Sequence, residues 1–286
     1  MSACISSGER RFVESSIEED TRYDGRSLLD LRHLTVENGV IEFCNGSALI
    51  ERVFCDSKVI VGVKVEVVNI QSIESEKSLV NVSVDCSSLE AKSTGQRRLR
   101  DYADELAEQI EAQLEAGLDG NEHCLVIVPS KYSWCISVDV VVLGSDGNLS
   151  DLVSLAVYSA LTEARRPSVE KIATEDGEDF QIDPDPANTV GMPVIFLESI
   201  PIRISLFDIG GHMVADVSES EEQCARCALS VLVNRKGQLC STEILKNGRL
   251  GLTQVGNHLS TATQVGLSMF KLLDREISYT PRPVSQ

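Results

Sequence analysis

Cations are scarce in this chain. Its 286 residues carry 26 lysines and arginines against 44 aspartates and glutamates, a formal net charge of −18. Affinity for nucleic acid comes mostly from cations that neutralise phosphates. The balance therefore excludes a free-standing RNA-binding protein unless the few cations are gathered in one place, and it suits a chain held apart from its neighbours by charge. Also missing is any apolar run near the ~18 residues that a membrane helix needs. Residues 1–20 carry Glu9, Arg10, Arg11 and Glu14 where a secretory leader would have its apolar core. An intracellular protein, cytosolic or nuclear and with no membrane partner, is expected. Histidine is sparse too: His33, His123 and His258 stand far apart in sequence, and only His212 lies near the C-x-x-C of Cys224-Ala225-Arg226-Cys227. With no second C-x-x-C, that pair reads as buried or half-buried thiols, and no metal or cofactor is expected. The nine cysteines, an odd number scattered through strand-like segments, fit a reducing compartment better than a disulfide framework.

What is present is ordinary for a globular protein: 42% apolar and 24% charged residues, enough for one large domain or two small halves. The chain is organised around Trp134–Pro167. Ile136, Val138, Val140, Val141 and Val142 predict a buried strand. Ser145-Asp146-Gly147-Asn148 breaks it with turn residues. Ser150 or Asp151 can then cap a helix whose apolar positions are Leu152, Leu155, Ala156 and Ala160. Arg165-Arg166-Pro167 ends that helix. A strand–turn–helix of this kind is where many folds set a phosphate site.

Before this unit, residues 1–20 form an arm, either loose or a short helix, and Gly25 marks a turn. Strands are expected at Leu34–Val36, Gly46–Val53, Lys58–Val68 and Leu79–Cys86, in what looks like a meander. A helix from about Leu99 to Leu118 buries Leu106, Ile110 and Leu114. Its other face carries Asp101, Asp104, Glu105, Glu108, Glu111 and Glu115, read as a solvated face. Cys124–Val128 is a further strand.

After it, residues 171–193 are an acidic linker with two Asp-Pro steps. Strands follow at Val194–Leu197, Ile202–Asp208 and His212–Asp216, the last two joined by Gly210-Gly211. Cys227–Asn234 and Gln238–Ile244 form another hairpin, and Leu252–Leu273 a closing amphipathic helix. The pattern gives an α+β fold with a first half at 21–170 and a second at 194–286.

These segments carry a resemblance. Arg22-Tyr23-Asp24-Gly25-Arg26 is similar to the R-x-D-G-R that opens RNase PH-like proteins. Asn45-Gly46-Ser47-Ala48 followed by Val59-Ile60-Val61-Gly62-Val63-Lys64 resembles their next strand pair. Trp134-x-Ile136-x-Val138-Asp139-Val140 with Asp146-Gly147-Asn148 looks like the corresponding strand and turn of exosome core subunits. Val214-Ala215-Asp216 and Glu219-x-Glu221-Glu222 resemble the family's V-D-x-T-x-x-E-E segment. The likeness runs from about residue 18 to 275. The Glu175-Asp176 acidic span, the Ile200-Pro201 step and the long C-terminal helix narrow it to one type of eukaryotic ring subunit. It implies the RNase PH fold (ribosomal protein S5 domain 2-like), with two similar βα halves in one globule. It also implies a ring of six RNase PH-like chains with RNA-binding cap proteins, RNA passing through the channel, a role in RNA decay and ribosomal RNA maturation, and residence in nucleus, nucleolus and cytoplasm.

Phosphorolysis needs an anion site, carboxylates and cations to hold RNA. Active members of the family resemble one another in a G-T-R-T turn whose arginine and hydroxyl bind phosphate. Here the matching turn is Gly147-Asn148-Leu149-Ser150, and Leu149 supplies neither charge nor donor. Ser150 and the helix end remain. Of the two family carboxylates, Glu222 aligns with the first and Ala228 with the second. Glu219, Glu221 and Glu222 then read as a solvated turn. Three helix arginines of related subunits become Glu108, Ala112 and Glu115, leaving Arg97, Arg98 and Arg100 as the clustered cations, set either to touch RNA in the channel or to pair with the acid row. The expectation is a non-catalytic ring subunit. The alternative is an active phosphate-dependent 3′-to-5′ exoribonuclease, alone or with a site shared across a ring interface.

Overall fold

The strand that begins at Trp134 in the sequence reading does organise the first half. β6 (Tyr132–Gly144) pairs antiparallel along its whole length with β3 (Ser57–Asn69) and parallel with β4 (Val80–Asp85). β2 (Gly46–Arg52) and β1 (Leu34–Asn38) extend the sheet, giving the order β1-β2-β3-β6-β4, and β5 (Val126–Val128) also pairs with β6. The structure is a computed structural model and describes residues 5–70, 79–92, 96–119, 122–174, 177–182, 192–195, 197–245 and 252–279.

The expected meander stops at β3. β6 is inserted between β3 and β4, because β4 leads into the long helix α2 (Gln96–Leu118) before the chain returns. A parallel neighbour requires such a crossover, which strand-by-strand alternation does not reveal. Alternation in β3 matches the buried face: Val59, Val61, Val63 and Val65 are buried while Lys64 and Glu66 are exposed. α2 buries Leu106, Ile110 and Leu114 as its spacing predicts.

α3 (Leu149–Glu163) is buried on nearly every side, between the first sheet and the second. At its end Arg165 donates to the carbonyls of Thr162 and Ala164, at 2.8 and 3.0 Å, as a cation near a helix C-terminus should. The segment expected as a linker instead continues the first half. β7 (Arg165–Arg166) pairs with β10 (Met192–Pro193). β8 (Val169–Thr174) and β9 (Gly177–Ile182) form an antiparallel hairpin. Phe180 meets Tyr132 edge-on at 4.9 Å, which secures the hairpin to the sheet. Both Asp-Pro steps lie outside the described residues.

The second sheet runs β12-β11-β13-β14, from β11 (Ile202–Ile209), β12 (His212–Ala215), β13 (Cys227–Val233) and β14 (Leu239–Ile244). Gly210 and Gly211 both take positive φ, 63° and 93°, which is what a two-residue hairpin demands. Of the strand expected at Val194–Leu197, the described residues Val194, Ile195 and Leu197 are not in strand conformation. Val194 and Ile195 are buried as a bend instead. The closing helix α5 (Leu252–Tyr279) lies on β11 and β13 and also on β1 of the first half. One continuous core, from Val59 and Leu152 to Ile204, Val231 and Leu273, therefore crosses both halves.

The N-terminal arm is the helix α1 (Ser7–Glu18), begun by a reciprocal cap between Ser6 and Glu9. It docks on the second half: Ile17 is buried, and Arg10 donates to the carbonyls of Gln223 and Cys224 at 3.0 and 3.3 Å.

Candidate functional site, a degenerate anion site

Three loops meet at the N-terminus of α3: residues 22–32, the turn 144–148 and residues 216–222. The turn and the last loop touch so closely that a Cβ on Gly147 would lie 2.4 Å from the Ser218 carbonyl carbon. Gly147 also has φ +75°, so a side chain is excluded twice over.

Neither Ser150 nor Asp151 caps α3. Asn148 takes the cap position with φ +47° and makes no side-chain cap bond. The Asp151 carboxylate turns inward instead, accepting from the Ser205 amide (2.8 Å), the Ser205 hydroxyl (2.7 Å) and the Asn148 side chain (2.9 Å). Burial pushes the Asp151 carboxyl up from its ordinary value, opposed by these bonds and by the charge of Arg52.

The acids of residues 219–222 are not a solvated turn. They form the short helix α4 (Glu219–Cys224), started by a Ser218–Glu221 capping box. Glu221 is buried, and its carboxylate pairs with Arg22. Glu222 accepts the backbone N–H of Asn148 at 2.9 Å. A carboxylate of this chain thus sits at the head of α3, where amides and helix dipole favour an anion.

The remaining positions are placed plainly. Leu149 is 3% exposed and belongs to the continuous core. Ser150 is half-buried. Ala228 is buried on β13 opposite Phe207, in a small apolar cluster with Ile17, Ile209 and Val217. Cys224 and Cys227 are buried free thiols, Cys224 in that same cluster. Arg97, Arg98 and Arg100 are exposed on the first turn of α2, which begins at Gln96 and not near Leu99, so they lie inside the helix and not just before it.

Composition did not reveal a hub of buried arginines around Asp216. That residue has φ +47°. Its carboxylate accepts from the Arg32 amide (2.7 Å), from Arg32 Nη2 (2.7 Å) and from Nε (3.1 Å), and it pairs with Arg52 at 2.9 Å. Burial alone would raise the Asp216 carboxyl, but Arg52 and Arg32 hold it far below the usual carboxylate range. Arg52 also donates to the carbonyls of Gly147 and Asn148 at 2.8 and 3.1 Å. Arg32 reaches the carbonyls of Asp146 and Val217, both at 2.9 Å. These guanidiniums are engaged in holding the turn, so they are not offered to a ligand. The signal for Arg52 was there: it shares the inward face of β2 with Ala48 and Ile50.

Two βα halves sharing one core, with a loop junction at the head of the central helix, define the RNase PH fold. The sequence matches the family model "3' exoribonuclease family, domain 1" over residues 30–167 and domain 2 of the same family over residues 199–264. The chain belongs to the 3′ exoribonuclease family. It is 31% identical to a putative exosome complex exonuclease RRP42 of Dictyostelium discoideum, across 96% of this chain and 98% of that one. It is 28% identical to the exosome complex component Rrp42 of Pyrococcus abyssi, across 92% and 93%. Among solved structures, an Archaeoglobus fulgidus exosome with RNA bound to the active site aligns over 92% of this chain and 96% of its own at TM-score 0.72 and 20% identity, which speaks to the fold.

Proposed function

We propose that this chain is a non-catalytic subunit of the RNase PH-like ring of an RNA exosome, supporting 3′-to-5′ RNA processing and decay, ribosomal RNA maturation included. Its partners in this reading are the other RNase PH-like ring chains, the RNA-binding cap subunits and RNA in the channel. Its compartments are nucleus, nucleolus and cytoplasm. Membership in a ring is supported by the relatives named as exosome components over nearly the whole chain.

The absence of catalysis rests on one observation above all, the Glu222 carboxylate bonded to the Asn148 amide beside the buried Leu149. Orthophosphate at that helix end would meet a carboxylate and, among the described residues, guanidiniums already engaged in holding the turn. Like charges about 4 Å apart near a protein surface repel by about 4 kcal/mol per pair of unit charges. Ala228 offers no second carboxylate for a metal or for proton transfer. RNA contact, in this reading, falls to the exposed Arg97, Arg98 and Arg100. The alternative of an active enzyme lacks a guanidinium at Leu149, a second carboxylate at Ala228 and helix cations at Glu108, Ala112 and Glu115. The test is phosphate-dependent release of nucleoside diphosphates from RNA, by the purified chain and by the reconstituted ring with and without Glu222→Gln.

A further inference from the structure

The loop 22–32, the turn between β2 and β3 and the α5 residues Ser268 and Leu272 line a groove of about 850 Å³. Its lip is aromatic: Tyr23 is 91% exposed and Phe54 100%. Phe54 also takes φ +65°, a left-handed conformation that glycine adopts without the steric cost. At full exposure its phenyl ring packs against nothing in this chain. The backbone beneath both side chains is nevertheless held. The Val53 amide donates to the His33 carbonyl at 2.9 Å, and Arg32 reaches the Cys55 thiol at 3.8 Å. Tyr23 follows Arg22, which is fixed by Glu221. One exposed apolar residue is ordinary. Two aromatics on one lip, one of them at a strained position, with the partly exposed Leu29 in the same groove, form a patch that only a second molecule covers.

Size points to a protein. Covering a tyrosine or a phenylalanine buries about 150–250 Å², so the pair supplies roughly half of the ~800 Å² that one partner gives to a stable interface. A small ligand would need enclosing walls, and side chains standing fully in water enclose nothing. Charge selects among the partners. The carboxylates are the outer groups of the groove and the arginines the inner ones: Asp24 and Asp146 are 41% and 34% exposed, Arg26 and Arg32 only 14% and 7%. Asp30 is exposed as well. Nucleobases can stack on aromatic rings, but their phosphates are repelled by this lip. A second copy of this chain, with the same lip and a net charge of −18, is repelled too. The complement is a different chain that brings an apolar side chain ringed by cations, and each member of a closed ring has neighbours that can supply it.

We infer that the groove with Tyr23 and Phe54 on its lip seats a neighbouring RNase PH-like ring chain, different in sequence from this one, which packs an apolar side chain against the two aromatics and sets lysine or arginine against Asp24, Asp30 and Asp146. The inference rests on the ring reading and adds to it the surface of the contact and the sign of its charge.

Two experiments on the full chain, made together with the other RNase PH-like chains of its ring, test it. In the first, Phe54→p-benzoylphenylalanine is irradiated in the assembled complex, and the expected crosslink is to one other RNase PH-like chain. In the second, Phe54→Gly releases the positive φ and removes no packing. The urea midpoint of the isolated variant should equal or exceed that of the parent, while its association with the other ring chains, followed by sedimentation, weakens at least tenfold. Misfolding cannot produce that pair of results. Crosslinks only to RNA, to a cap subunit or to a second copy of this chain overturn the inference, as does a Phe54→Gly chain that enters the ring as tightly as the parent. A lower urea midpoint in Phe54→Gly overturns it too, since the phenyl group would then serve this chain's own fold. In each of these cases the parent still joins the ring and that reading stands. A parent chain that associates with no RNase PH-like chain sinks both.

Discussion

Arg22 and Glu221, 199 residues apart in sequence, form a two-bond ion pair closed to solvent, at 2.9 Å from Nε and 2.5 Å from Nη2. The pair ties the first loop of the chain to α4, and the same arginine reaches the carbonyls of Ala215 and Asp216, both at 2.9 Å. The R-x-D-G-R segment therefore works as a clasp between the halves. Removing one partner leaves the other charge buried without compensation, which costs about 3–5 kcal/mol. Arg22→Met is expected to lose that much in urea unfolding, and Arg22→Met/Glu221→Leu to lose clearly less than the single change. Equal losses would mean the ion pair is not what the clasp depends on.

Asp216 gives the fold an acid-sensitive joint. Its folded-state pKa is depressed, so its contribution to stability is complete above the unfolded value of about 3.9 and is lost as pH falls from there through the folded value. Asp151 is shifted the other way, with a raised folded pKa, so it disfavours the fold as pH rises through its range. Asp216→Asn is expected to be less stable than the parent chain at pH 7, with the gap closing as pH drops below about 4. Urea midpoints measured across that range check it. A gap independent of pH would show that Asp216 does not carry the charge assigned to it.

Gly147 is required by both conformation and space. Gly147→Ala is expected to cost about 2–4 kcal/mol, combining a strained positive φ with a forced shift of the Ser218 backbone. Gly25, also at positive φ but with nothing within 4 Å of a Cβ, should tolerate alanine at about 1 kcal/mol. Thermal unfolding of the two variants side by side separates crowding from backbone strain.

For RNA contact, the expectation falls on the first turn of α2. In a reconstituted ring, Arg97→Glu/Arg98→Glu/Arg100→Glu should lower RNA crosslinking to this chain roughly tenfold and reduce the salt dependence of binding. Crosslinking at the parent level would remove these three residues from the channel.

Period-two and helical spacing place β3, α2 and α5, because each buries one face and sequence records that directly, while the apolar runs of β6 and α3 mark elements buried nearly all round. The parallel insertion of β6 beside β4 was not legible, since alternation marks a strand's faces and is silent about its neighbours. At the site, the losses at Leu149 and Ala228 could be read residue by residue. Two things could not be read. One is that Glu222 reaches across to the Asn148 amide. The other is that Arg32, Arg52 and Asp216 form a closed hub, since partners up to 184 positions apart meet only through the fold. Charged residues read as surface by default, and by that rule Glu221 reads as solvated and so does Arg52.

The account turns on whether the head of α3 accepts phosphate or is already filled by Glu222. The most direct measurement is release of adenosine diphosphate from oligoadenylate by the purified chain with magnesium and inorganic phosphate. The account predicts release no greater than in a phosphate-free blank, unchanged by Glu222→Gln. Phosphate-dependent release that Glu222→Gln abolishes would contradict it.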